Sequence, residues 1–245
     1  MSWVRNPWWD GFWLLSGLPI GIALMLFVPG PGIWYMAITI MILETGHVIS
    51  PMILAWTKPG LRRIVSREWG MHIALPIGLV AGCLLAPWQM VFSIYFAWNI
   101  WHFGMQIFGV SCLYHRPGSP TAHFWRALGC VLFTAFSIGL LPFFGEGPRT
   151  HALSFGVFSF NHWLTDMGLS SQASGWRWGF IPLVLAIGAI WLVLRNGPLS
   201  AQVVPQILAI RAGIGMIHFV YSARVWKLSD PQVRATIGAN LFREA

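Results

Sequence analysis

Four of the eight histidines, His47, His102, His162 and His218, lie inside long apolar stretches and recur about every 57 residues. Imidazole is the side chain that most readily holds iron, copper or zinc, or takes the axial position of a tetrapyrrole. Polar residues stand one helical turn from each. Glu44 precedes His47 by three positions and Asn99 precedes His102 by three, while Gln106 follows His102 by four. Asp166 follows His162 by four, and Ser222 follows His218 by four. A metal-bound imidazole gives one nitrogen to the ion and needs the other hydrogen-bonded, to fix tautomer and orientation. A nearby carboxylate serves as that support or as a direct ligand. Imidazoles with optional carboxylates and no thiolate suit Fe(II), Zn or Cu, not Mg or Ca. The expected metal ligands are therefore His47, His102, His162 and His218, with Glu44 and Asp166 as the candidate catalytic carboxylates.

The elements that must carry these side chains read as transmembrane helices. Of 245 residues 56% are hydrophobic and 9% charged, against about 25% charged in a soluble domain. The apolar runs are long enough to cross a bilayer core of about 30 Å and do not alternate as barrel strands do. Helices are expected over 11–29, 33–56, 70–86, 88–114, 123–144, 152–171, 177–195 and 202–227. Pro29-Gly30-Pro31-Gly32, Pro87, Pro117-Gly118-Ser119-Pro120 and Asn196-Gly197-Pro198 mark the breaks. Many tryptophans sit at the ends of these runs, among them Trp8, Trp9, Trp34, Trp56, Trp69, Trp88, Trp176, Trp178 and Trp226, as in an interfacial aromatic belt. The segment 152–171 is the most diluted by polar residues. If it fails to span, the bundle has seven helices instead of eight.

Basic residues favour eight. With both termini on one side, that side collects Arg5, Lys58, Arg62, Arg63, Arg67, Arg116, Arg126, Arg177, Arg224, Lys227, Arg234 and Arg243. The opposite side holds only Arg149 and Arg195, and Arg211 falls within the last helix. Such a bias places both termini in the cytoplasm of a multi-pass plasma (inner) membrane protein. It also accounts for the net charge of +8 without nucleic acid as a partner. The chain reads as one polytopic membrane domain, with a short polar cytoplasmic tail at 228–245. The first apolar run contains Pro19 and lacks a small-residue cleavage site behind it, so no cleavable signal is expected.

In this topology the four histidine-bearing helices all run toward the cytoplasm. Each histidine stands about 9 to 12 residues before its helix's end, so all lie within roughly 5 Å of one level. Ionisable groups at such depth tend to face the bundle interior, where four imidazoles can converge. A single intramembrane histidine is often only an interhelical hydrogen bonder; four at one depth point to a shared site. Arg211, two turns before His218, would neutralise an acid or hold an anionic group. His72, His115, His123 and His151, near helix ends or in loops, are expected to be solvated. Cys83, Cys112 and Cys130 are widely spaced and apolar in context, which suggests inert thiols. The sequence contains no Walker motif, no HExxH and no Gly-x-Ser-x-Gly. Phe96, Trp98, Trp101, Phe103, Phe108, Phe155, Phe158, Phe160 and Trp163 read chiefly as packing, and would also suit a long conjugated ligand.

Trp101-His102-Phe103-Gly104-Met105 resembles the histidine stretch of the bacterial membrane-bound β-carotene 15,15′-dioxygenases of the Brp/Blh type. Ile217-His218-Phe219-Val220-Tyr221-Ser222-Ala223-Arg224-Val225-Trp226 is loosely similar to that family's last histidine-bearing helix. The likeness covers about thirty residues. It implies an all-helical membrane enzyme whose histidines hold non-haem Fe(II) and which splits a carotenoid with O2, with His47, His102 and His162 at ligand-like positions. Two features depart from the family: Glu44-Thr45-Gly46-His47 stands where it has Gly-x-Pro-His-Gly, and His162 with Asp166 replaces a histidine pair. The second change would exchange a nitrogen ligand for oxygen. The residues leave two other readings open. One is a non-catalytic subunit or assembly factor of a larger membrane complex that binds haem, (bacterio)chlorophyll or carotenoid. The other is a transporter using Glu44, Asp166 and Arg211, though co-directional repeats disfavour an inverted-repeat design.

Overall fold

The computed structural model describes residues 4, 6–27, 48, 50–115, 118–140, 148–174, 203–227 and 229–238. The protein is all-α, with no strand among the described residues. A helical turn, Pro7–Asp10, runs through π-helical Gly11–Leu15 to α1 (Gly17–Phe27). Then come α2 (Pro59–Arg67), π-helical Gly70–Ala74 leading into α3 (Leu75–Leu85), and α4 (Trp88–Tyr114). α5 (Pro120–Ala135) ends in π-helical Phe136–Leu140 and precedes α6 (Pro148–Ser174) and α7 (Val203–Val225). The turn Pro231–Val233 continues as π-helical Arg234–Gly238.

Proline chemistry sets several of these ends. Ala86 is extended, with φ −81° and ψ 154°, because the following Pro87 ring excludes the helical region; α4 then starts at 88, as expected. The Ser119 hydroxyl accepts from the Ala122 N–H at 3.2 Å and Pro120 sits in the first turn. This cap starts α5 three residues earlier than the apolar pattern suggests. Between the expected helices 33–56 and 70–86 lies α2, whose buried Leu61, Ile64 and Val65 are too few to register as an apolar run. In the tail, Val233 is fully buried. The expected helix 177–195, and 33–56 apart from Val48 and the helical stretch 50–56, lie outside the described residues.

Among the described residues no single helix is both long and apolar enough to cross a membrane. α4 has the length, 27 residues or about 40 Å, but Asn99, His102, Gln106 and its tryptophans lower its mean hydropathy. Pro59–Arg67 and Gly70–Leu85 meet the requirement only together, and they are bent by 89° at their break.

The chain forms two compact units: Met1–Glu44 with Asn99–Leu169, and Thr45–Trp98 with Ser170–Ala245. In the first, small residues let helices approach closely. A Cβ on Gly17 would lie 2.8 Å from Asn161 Cα, and one on Gly104 would lie 2.7 Å from Val131 Cα. Those contacts bring α1 against α6 and α4 against α5. Asp10, fully buried, accepts from the Val4 N–H at 2.7 Å and the Tyr114 hydroxyl at 3.0 Å, which ties the N-terminal segment to the end of α4.

In the second unit Cys83, Val91, Ala212 and Met216 form a buried cluster, with Leu79, Ala86 and Tyr95 packed on it. Arg224 at the end of α7 grips Glu68 through two hydrogen bonds, 2.9 and 3.1 Å, and Asp230 through a third, 2.8 Å. Asp230 in turn caps the tail turn by accepting from the Gln232 and Val233 N–H groups. The Arg224 hydrogen bond, followed by the one from Gln232, holds the Asp230 carboxyl below the usual carboxylate range. A depressed carboxyl stabilises above its unfolded value and loses that contribution as pH falls through the folded one. Arg224→Ala is therefore expected to speed tryptic cleavage at Arg234 by roughly fivefold at neutral pH, with little change in global melting. Below the carboxylate range wild type and variant should converge.

Candidate metal centre

The first unit brings two of the four expected histidines together. His102 projects from α4 and His162 from α6, with their Nε2 atoms 3.2 Å apart. The rings meet edge-to-face, centroids 4.6 Å apart and planes at 87°. Two nitrogens at that separation, each about 2.1 Å from one ion, subtend about 100°, between the octahedral and tetrahedral angles. The same distance accommodates a direct N–H···N hydrogen bond between neutral imidazoles. His162 is 2% exposed.

Ser159, Asn161, Thr165 and Asp166 of α6 are buried along with His162. Gln106, one turn beyond His102 on α4, reaches across to α6. It donates to the His162 backbone carbonyl at 3.3 Å and bonds the Asp166 side chain. Gln106, which the i to i+4 spacing places one turn from His102, thus also reaches the facing helix. Phe103, buried between them, lies 5.4 Å from the His162 ring, 5.8 Å from Phe155 and 6.4 Å from Phe158. These aromatics are packing that immobilises His162. Trp98 and Trp101 are 40% and 54% exposed.

In the second unit His218 is 1% exposed on α7. Its Nδ1 lies 3.1 Å from the Val48 carbonyl oxygen, which fixes Nδ1 as the protonated nitrogen and turns the Nε2 lone pair to the other side. The Ser222 hydroxyl stands 3.2 Å from Nε2, the i+4 partner expected from spacing. Phe219 beside it stacks on Trp98 and Tyr95, centroids 5.9 and 6.5 Å away. His47 and Glu44 lie outside the described residues, as does the side chain of Arg211.

One histidine departs from expectation. His72 is not solvated but 3% exposed, because the π-helical turn at 70–74 rotates it inward. Its Nδ1 lies 3.2 Å from the Glu68 carbonyl oxygen, and its own carbonyl accepts from the Tyr221 hydroxyl at 2.6 Å. Tyr221 also accepts from Trp56 Nε1 at 3.1 Å, so His72 belongs to a structural polar network. His115 and His123 are exposed, as expected.

No family model, curated protein or solved structure matches this chain.

Proposed function

We propose that the chain is a membrane-embedded, histidine-ligated metalloprotein, a non-haem Fe(II) oxygenase acting on a lipid-soluble, carotenoid-like substrate. The observation that carries the metal reading is the 3.2 Å approach of the His102 and His162 Nε2 atoms. All-nitrogen and oxygen donors without thiolate fit iron, copper or zinc. They fit a bis-histidine tetrapyrrole less well, because axial nitrogens on opposite faces of one iron stand roughly 4 Å apart. His218 and His47 are proposed as further ligands because they share a depth with the pair in the eight-helix topology.

The membrane reading, with both termini cytoplasmic, is supported by the composition, by the one-sided basic residues and by an exterior rich in large apolar side chains over an interior that also holds polar ones. Asp10, Asn99, His162, Asp166 and His218 are buried, while Leu85, Trp101, Phe124, Trp125, Leu132 and Phe133 are exposed. Such an apolar exterior suits lipid contact and an apolar substrate arriving from the bilayer. The carotenoid class rests on the resemblance at 101–105 and 217–226.

When bound, a redox-active ion would supply O2 activation. The chain's own part is to hold the ligands and exclude water. Phe103 fixes the His162 ring, Gln106 anchors the His162 backbone and orients Asp166, and Asp166 offers a carboxylate to balance the ion's charge. Elemental analysis of the purified full-length protein tests this: about one iron, copper or zinc per chain is expected. A visible spectrum completes the test: a Soret or Q band would instead establish the pigment-binding alternative, whereas a protein that carries the metal without such a band supports the non-haem reading.

A further inference from the structure

Helix α2 has a second face that the metal centre does not use. Its apolar side, Leu61, Ile64 and Val65, is buried, α2 packs against the tail turn, and Gly60 abuts the Thr236 side chain. Its other side presents Arg62, Arg63, Ser66 and Arg67 to the exterior. None of these arginines pairs with an acid among the described residues; the nearby Glu68 is engaged by Arg224. Beyond α2 the chain turns 89° into Gly70–Leu85, which exposes Met71, Ile73, Leu75, Ile77, Leu84 and Leu85. Trp69 stands at the elbow, 63% exposed.

An apolar, lipid-facing segment rising at a right angle from a basic helix, with tryptophan at the elbow, suits the boundary between headgroups and acyl chains. Because the apolar side of α2 is already buried in the protein, the helix cannot anchor by inserting its own hydrophobic face. What it offers the bilayer is charge. We propose that Arg62, Arg63 and Arg67 form a docking face for anionic phospholipid headgroups, with Trp69 setting its level. This proposal rests on the membrane reading above and adds to it a lipid class and the residues that select it.

The test uses the full-length protein purified in non-ionic detergent. Phosphatidylglycerol or phosphatidylcholine is titrated in while thermal unfolding is followed. Phosphatidylglycerol should bind at least tenfold more tightly, and the preference should shrink with added salt, since exposed charges are screened. R62Q/R63Q/R67Q should remove most of the preference, at about fivefold per arginine, and leave melting in detergent alone unchanged because the three side chains are exposed. If the triple variant fails to fold, R63Q alone and the salt dependence of wild type give the same reading on a smaller scale. Equal affinity for the two lipids, or a preference undiminished in the variants, overturns the proposal. So does a comparable response to inorganic phosphate or glycerol phosphate, or tighter binding of a nucleic-acid duplex. Alkaline carbonate extraction of membranes separates the two layers of the argument. Release of the wild type sinks the membrane reading itself, whereas retention without lipid preference sinks only the docking face.

Discussion

His162→Ala is expected to reduce metal content from about one ion per chain to below a tenth after mild chelation, with His102→Ala doing the same. Loss of one of a few protein ligands typically weakens binding at least about a hundredfold, since the total free energy of a transition-metal site is shared among few donors. Gln106→Ala should lose about 10–100-fold, the usual cost of removing a group that orients a ligand. Here the orienting bonds run to the His162 carbonyl and Asp166, so the variant should weaken metal without abolishing it. The competing explanation is a bare imidazole–imidazole hydrogen bond across α4 and α6. It predicts a modest loss of stability, about 1 kcal/mol, and no metal in the wild type. His102→Gln separates the two. An amide can restore a hydrogen bond to His162 but is a poor ligand for iron, copper or zinc, so the variant should melt near metal-stripped wild type while its metal stays lost. If wild-type protein carries none of these metals, the oxygenase reading fails.

The long apolar helices are legible because their ends are dictated locally. Pro87 forces Ala86 extended, so the start of α4 can be read from two residues. The pairing of His102 with His162 was legible as an expectation, since a period near one helical hairpin puts equivalent positions of successive hairpins at one depth. Direction around the helix was not legible. Gln106 follows His102 by one turn yet serves α6, because a long amide on a close-packed face reaches the neighbour as readily as its own helix. His72 was misjudged for a related reason. A π-helical turn takes more residues to complete and so shifts the phase of the helix, and distance from a helix end says nothing about which way the ring faces. The Arg224–Glu68–Asp230 network joins Glu68 to two residues more than 150 positions away and leaves no periodic trace. Helix α2 escaped because a nine-residue amphipathic helix is masked by its own arginines.

Two glycines on the same helix should respond in opposite directions. Gly104 is buried, and a Cβ there would meet Val131 Cα at 2.7 Å and Val131 Cγ2 at 3.0 Å. The first of these is backbone, which cannot rotate aside, so even Gly104→Ala must separate α4 from α5. Overpacking of this kind costs about 1–3 kcal/mol, and Gly104→Leu should exceed that range. Gly109, further along α4, is exposed and has nothing within 4 Å of the added carbon. There Gly→Ala removes only the conformational freedom of the unfolded chain and should stabilise by up to about 1 kcal/mol. Thermal unfolding of both variants in one detergent checks the contrast, and equal shifts would refute close α4–α5 packing. Gly104 lies two residues from His102, so displacement of α4 must also disturb the 3.2 Å approach to His162. A ligand pair set to a single bite angle tolerates little such movement. Gly104→Ala should therefore lose metal affinity beyond what its melting temperature predicts, whereas Gly109→Ala should keep it.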